Sequence, residues 1–174
     1  EQPVDPESGE PVVMEDFTVT LTSIHSGDVF LTIEPKDKEM TYWYQLQVTE
    51  DMPETDEEIL ASDMSYLQYM ADYYGESLTQ LLADNLLKGD IEWRYQYLEP
   101  NTEYVLYMYG MNINGEALTT VNKLSFKTTK VEQLDCTFDI LAGDNITANS
   151  FSITIIPSDD TVAYYYDVFP AWMY

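Results

Sequence analysis

The sequence is poor in the residue types from which most catalytic and metal sites are built. Its 174 residues include one cysteine, Cys136, and one histidine, His25. This excludes an internal disulfide and a Cys/His zinc site, and it restricts any Ser–His–Asp triad to that one histidine. Basic residues are also scarce, since seven Lys and Arg stand against 32 Asp and Glu, for a formal net charge of −25. Such a charge repels phosphate backbones and anionic lipid, so no nucleic-acid partner is expected.

Long apolar runs are missing too. No stretch approaches the roughly 20 residues of a membrane-spanning helix, and the first residues do not resemble a signal peptide. Hydrophobic residues nevertheless make up 45% of the chain, which is ordinary for a protein with a packed core. We therefore expect a globular fold without a membrane span of its own.

The N-terminal part changes character near residue 15. Residues 1–14 are acidic and contain three prolines, which predicts an extended tether. After it, apolar and polar residues alternate around 17–21, 29–33 and 40–48, with turns at Ser26–Asp28 and Pro35–Asp37. This alternation predicts three half-buried strands that open an antiparallel sheet.

Residues 55–88 carry a different pattern. Thr55 and Glu58 fit a helix capping box, and Gly75 suits a helix C-terminus. A second helix is predicted to start at Ser77 and to end at Lys88–Gly89. The predicted apolar stripe of the first helix is Leu60, Met64, Leu67, Ala71 and Tyr74. We interpret the segment as a helical hairpin inserted into a β domain.

Alternation resumes at Ile91 and continues to Phe126, with a motif between two of the predicted strands. The motif is Leu98, Pro100, Thr102 and Tyr104 in the order Leu-x-Pro-x-Thr-x-Tyr. It resembles the corner between strands E and F of fibronectin type III domains. The resemblance implies a mainly β, fibronectin III/Ig-like antiparallel sandwich over 15–130, with the helices as an insertion. It also implies that the Tyr104 hydroxyl bonds to the backbone near residues 98–101.

An internal repeat points to a second domain. Shifting the chain by 122 positions aligns residues 24–46 with 146–168, with seven identities that include Pro35/Pro157, Tyr42/Tyr164 and Tyr44/Tyr166. Residues 131–174 are therefore interpreted as the first strands of a second, incomplete fibronectin III-like sandwich, at about 136–142, 150–156 and 162–169. Such strands leave an apolar face open, so we expect further chain or a partner strand to cover it.

The whole pattern is similar to tandem fibronectin III-like modules of secreted Bacteroidetes proteins. That resemblance implies an extracytoplasmic place at the cell surface or outer membrane, with a lipid anchor on a cysteine upstream of Glu1. It implies partners among other surface proteins, including an outer-membrane transporter complex that captures glycans or peptides.

Three aromatic residues, Trp43, Tyr165 and Trp172, are the candidates for ligand binding. Trp43 is expected to point outward from its strand, where the helical hairpin is the favoured cover and a sugar ring or a partner is the alternative. No catalytic residue, metal ligand or cofactor is predicted. A non-enzymatic interaction or spacer module is the leading interpretation. A carbohydrate-binding module and, more remotely, an acidic glycoside hydrolase fragment are the alternatives.

Overall fold

Residues 9–131, 135–170 and 172 are described by a computed structural model, in which the chain divides into the units Glu1–Val131 and Glu132–Tyr174. The first unit contains, in chain order, β1 Pro11–Val13, β2 Phe17–Ile24, β3 Asp28–Pro35, β4 Thr41–Val48, a 3-10 turn Thr49–Asp51, α1 Asp56–Tyr74, α2 Leu78–Asn85, β5 Leu87–Lys88, β6 Ile91–Gln96, β7 Glu103–Gly110 and β8 Asn122–Lys127. The second contains β9 Phe138–Ala142 and β10 Ile153–Pro157.

Two antiparallel four-stranded sheets form the body of the first unit. Their strand orders are β1-β2-β3-β6 and β5-β4-β7-β8. Alternate residues of both sheets meet in one hydrophobic core, in which Phe17, Ile33, Leu106 and Phe126 are fully buried. The predicted mainly β, antiparallel fold with two helices is therefore present. The period of two places alternate residues of β2 (as far as Leu21), of β3 and of the end of β8 in that core.

Two features of the N-terminal half differ from the sequence prediction. Strand β4 does not extend the sheet of β2 and β3 but crosses to the other sheet, where it pairs with β5 and β7. Periodicity identifies a strand but not its partner, so it could not distinguish these arrangements. Strand β1 lies inside the predicted tether and pairs with β2. Val12 and Met14 pack against the core, so this part of the chain is not an extended tether. Residues 1–8 lie outside the described residues.

Helix α1 begins as its capping box predicts. The Thr55 side chain accepts from the Glu58 backbone N–H, and the Glu58 carboxylate accepts from the Thr55 N–H at 3.1 Å. Gly75 ends the helix in the left-handed conformation, with φ of 71°. The predicted apolar stripe is shifted, however. The buried residues are Ile59, Asp63, Leu67 and Ala71, whereas Tyr74 is exposed.

Helix α2 is shorter than predicted. Ser77 caps its start, as expected, but the helix ends at Asn85. Leu87 and Lys88 then form the strand β5 beside Tyr42 and Thr41. A Lys–Gly pair is compatible with a helix end and with a turn after a strand, so the sequence alone favoured the wrong choice.

The corner between β6 and β7 is built around Tyr104. The backbone N–H of Glu99 donates to the Tyr104 hydroxyl at 2.8 Å, within the segment in which the resemblance places this bond. The ring of Tyr104 is buried and stacks on Phe126 at 5.8 Å. Leu98 packs against the core, and the Thr102 hydroxyl donates to the Pro100 carbonyl at 3.0 Å.

In the second unit, β9 and β10 form an antiparallel hairpin. Pro157 pairs with Phe138 as Pro35 pairs with Phe17 in the first unit. The third predicted strand, at about 162–169, is not formed. Its counterpart β4 pairs with β5 and β7 rather than with β3, and residues 135–170 hold no counterpart of those two partners. Within the described residues of this unit, the predicted third strand therefore has no neighbour to bond.

Candidate functional site

Strand β7 is buried on both of its faces. One face, with Tyr104, Leu106 and Met108, lies in the core between the sheets. The other face, with Tyr107 and Tyr109, packs under the two helices. The helical insertion is therefore a third layer on the outer face of the β5-β4-β7-β8 sheet.

A buried carboxylate fixes that layer to the sheet. Asp63 lies on the covered face of α1 and is only 5% exposed. The Tyr107 hydroxyl donates to Asp63 Oδ1 at 2.8 Å, and the Tyr109 hydroxyl donates to Oδ2 at 2.9 Å. Tyrosines two residues apart on one strand point to the same side, so a single carboxylate can accept from both.

Burial raises the pKa of Asp63 because the charged carboxylate loses its water, and the two tyrosine hydroxyls and Trp43 act in the opposite direction. The Trp43 indole N–H lies near enough to Asp63 to favour the charged form of the Asp63 carboxylate. It does not, however, meet the geometry of a hydrogen bond with any described residue. We regard it as an electrostatic neighbour of Asp63 rather than as a third bonded donor.

A cavity of about 460 Å³ opens beside this layer. Its walls include Trp43, Asn85, Leu87, Ile91, Glu92 and Trp93. Trp93 has the same orientation in the sheet as its cross-strand neighbour Leu31, yet Trp93 is 54% exposed and Leu31 is 2% exposed. Strand β5 pairs only with Thr41 and Tyr42. Because β5 is so short, the edge of the sheet that contains β5 does not extend far enough to cover Trp93.

The outer surface of α1 carries a row of tyrosines. Tyr66, Tyr69 and Tyr73 follow at spacings of three and four residues, which places them on one side of the helix. They are 49%, 64% and 71% exposed. Tyr69 and Tyr73 stack at 6.4 Å between ring centres, and Tyr74 meets Tyr73 edge-on. We call Tyr66, Tyr69 and Tyr73 the tyrosine row.

The three aromatic residues singled out from the sequence occupy different settings. Trp43 is half-buried and packs with the residues under the helices, which is the favoured alternative of the sequence analysis. Tyr165 and Trp172 are exposed in the second unit. Among the described residues, no group of His, Cys, Asp and Glu is arranged to hold a metal ion.

Asp63, Trp93 and the tyrosine row were not predicted from the sequence. Asp63 falls at the four-residue spacing between Ile59 and Leu67, so a buried acid could have been suspected from its place in that stripe. The signal for the row was the spacing of Tyr66, Tyr69 and Tyr73 itself. Nothing in the sequence indicated that β5 would leave Trp93 uncovered.

Comparisons of the chain with protein-family models, with curated proteins and with solved structures find no match. In the described part of the chain, no helix has the length and apolar character needed to cross a membrane. The function must therefore be inferred from the chain's own residues.

Proposed function

We propose that this chain is a non-enzymatic interaction and spacer module. The observation that carries the proposal is the tyrosine row on α1. Tyrosine is enriched in protein interfaces and among their energetic hot spots, because its ring offers a large contact area and few rotatable bonds. Three such rings in a row, two of them already stacked, form a surface suited to a protein partner.

The layer beneath the row supports the same interpretation. Both oxygens of Asp63 accept hydroxyl protons from tyrosines of β7, so the carboxylate is occupied as a structural acceptor and is closed off from substrates. Helix α1 is therefore anchored from below, and the tyrosine row is presented on a rigid element. Preorganisation of this kind lowers the entropy cost of binding.

For the fold, we propose a fibronectin III-like assignment and a second copy of the same domain. Support comes from the two-sheet strand order and from the Glu99–Tyr104 bond at the corner. The repeat supports the second copy, because Phe138 pairs with Pro157 in the second unit as Phe17 pairs with Pro35 in the first.

For location and partners, the proposal follows the resemblance to Bacteroidetes surface proteins. We place the module outside the cytoplasm as an accessory lipoprotein of an outer-membrane complex that captures glycans or peptides. Its partner is then another surface protein, such as the transporter of that complex.

The test is co-purification of the tagged full chain from cells that express the transporter complex. We expect the double variant Tyr69→Ala/Tyr73→Ala to reduce recovery of the complex at least about tenfold, as the loss of a hot spot does. Tyr97→Ala is the matched control, since it removes an exposed tyrosine away from the row. Equal recovery with the double variant would contradict the role of the row. Turnover of a polysaccharide that one carboxylate substitution abolishes would contradict a non-enzymatic function.

A carbohydrate-binding module is the second candidate, and the exposed rings of Tyr165 and Trp172 favour it. Sugars stack on such rings through their apolar C–H faces. Affinity electrophoresis of the chain in polysaccharide gels tests this function. Retardation that is lost in Tyr165→Ala or Trp172→Ala would support it, and unretarded migration in every gel would exclude the polysaccharides tested.

A further inference from the structure

The geometry points to a binding site for an organic cation in the cavity between Trp43 and Trp93. The cavity belongs entirely to the first unit, and its volume of about 460 Å³ lies within the roughly 300–1,000 Å³ of typical ligand pockets. The ligand class that we assign is an alkylammonium group, either a quaternary ammonium compound or the lysine side chain of a partner.

The aromatic walls are the first argument. The face of an indole ring carries negative electrostatic potential, and tryptophan is the strongest partner for a cation among the aromatic residues. Trp93 is more than half exposed although it lies in register with core residues. Trp43 lines the cavity as well, and its N–H is an electrostatic neighbour of Asp63 beneath the helices. Leu87 and Ile91 complete an apolar wall suited to methyl or methylene groups.

The polar groups of the cavity are the second argument. Glu92 is the charged residue of this lining, and among the described residues no Lys or Arg lines the cavity. Glu92 lies between Ile91 and Trp93 on the edge strand β6, so its side chain starts on the opposite face and meets the cavity only around the sheet edge. The Asn85 amide nitrogen donates to the Leu81 carbonyl at 2.8 Å, so the oxygen of that amide is the atom left to face a ligand. A carboxylate and an amide oxygen both accept protons. These two groups therefore match a ligand that donates hydrogen bonds or carries positive charge.

The charge of the whole chain is the third argument. With a net charge of −25, its field attracts cations and repels anions. Most of the basic residues are already engaged, since Lys38, Lys88, Arg94, Lys123 and Lys127 form ion pairs with carboxylates. The chain's own cations therefore do not compete for the cavity.

The experiment follows the indole N–H signals of the three tryptophans by NMR while tetramethylammonium chloride is added to the full chain, with sodium chloride as the ionic-strength control. We expect saturable shifts of Trp43 and Trp93 with a dissociation constant on the order of millimolar, and no shift of Trp172. A second titration with Nα-acetyl-lysine methylamide distinguishes the two sources of the cation. Tighter binding of that compound indicates a partner's lysine, and tighter binding of tetramethylammonium indicates a free quaternary ammonium ligand.

Substitutions inside and outside the cavity test whether the cation binds there. Trp93→Leu should weaken binding about tenfold and Glu92→Gln about fivefold, while Glu34→Gln, an exposed acid outside the cavity, should leave it unchanged. Absence of a saturable shift, an equal effect of Glu34→Gln, or a stronger response to glucose than to either cation would overturn the proposal. The last result would indicate a sugar site instead. Tyr69→Ala/Tyr73→Ala should not alter the titration, so failure of this site is distinguishable from failure of the tyrosine row.

Discussion

Replacement of Asp63 by alanine should destabilise the packing of the helices on the sheet. The substitution leaves the hydroxyls of Tyr107 and Tyr109 buried without their acceptor. An unsatisfied buried hydroxyl costs about 1–3 kcal/mol. Removal of a buried carboxylate recovers part of this cost, since its desolvation opposes folding. We therefore expect the free energy of unfolding to fall by about 3 kcal/mol.

Urea unfolding followed by the helix signal in far-UV circular dichroism measures this loss, because α1 and α2 both belong to the first unit. Asp72→Ala is the matched control on the same helix. Asp72 is exposed, and its carboxylate accepts from the Gln68 side chain at 2.8 Å, so its removal should change stability by less than about 0.5 kcal/mol. A loss below about 1 kcal/mol for Asp63→Ala, or equal losses for the two variants, would refute the anchoring role of Asp63.

Asp63 should also make the free energy of unfolding depend on pH. Burial raises the pKa of Asp63 above its ordinary value of 3.8, so the folded chain binds this proton more tightly than the unfolded chain. The resulting stabilisation is complete below the unfolded pKa and is lost as the pH rises through the folded pKa. Asp63→Asn has no such proton. The unfolding free energy of the wild type minus that of Asp63→Asn should therefore decrease as the pH rises above 3.8, and parallel curves would contradict the raised pKa.

Two further substitutions test the body of the first unit, each by its urea unfolding midpoint. Tyr104→Phe removes the acceptor of the Glu99 N–H and should cost about 1–2 kcal/mol; an unchanged midpoint would count against the corner. Gly110→Ala should also destabilise, because a Cβ atom there would lie 2.6 Å from Met40 Sδ and 3.0 Å from Leu118 Cβ. A penalty of about 1–3 kcal/mol is expected for such overpacking, and a neutral result would mean that both neighbours can move aside.

Local patterns in the sequence were sufficient for most of the elements. Alternation located β2, β3 and β4, and the side chains of Thr55 and Glu58 located the start of α1 because a capping box is formed by neighbouring residues. The end of α1 at Gly75 was predictable for the same reason. These features depend on contacts over a few residues, which a sequence displays directly.

Features that depend on distant contacts were not predictable in this way. The sheet to which β4 belongs is decided by its pairing with β7, some sixty residues later in the chain. Asp63 is tolerated in a buried stripe only because Tyr107 and Tyr109 meet it from another element. The cavity beside Trp93 likewise results from the shortness of β5, which no local pattern encodes.

The measurement that tests the interaction module most directly is photo-cross-linking from within the tyrosine row. A photoreactive phenylalanine analogue is placed at Tyr69 in the full chain, and in a second preparation at the isolated Tyr97, in cells that express the outer-membrane complex. We expect a cross-linked product of one defined mass from position 69 and none from position 97. The same product from both positions, or no product from position 69, would contradict it.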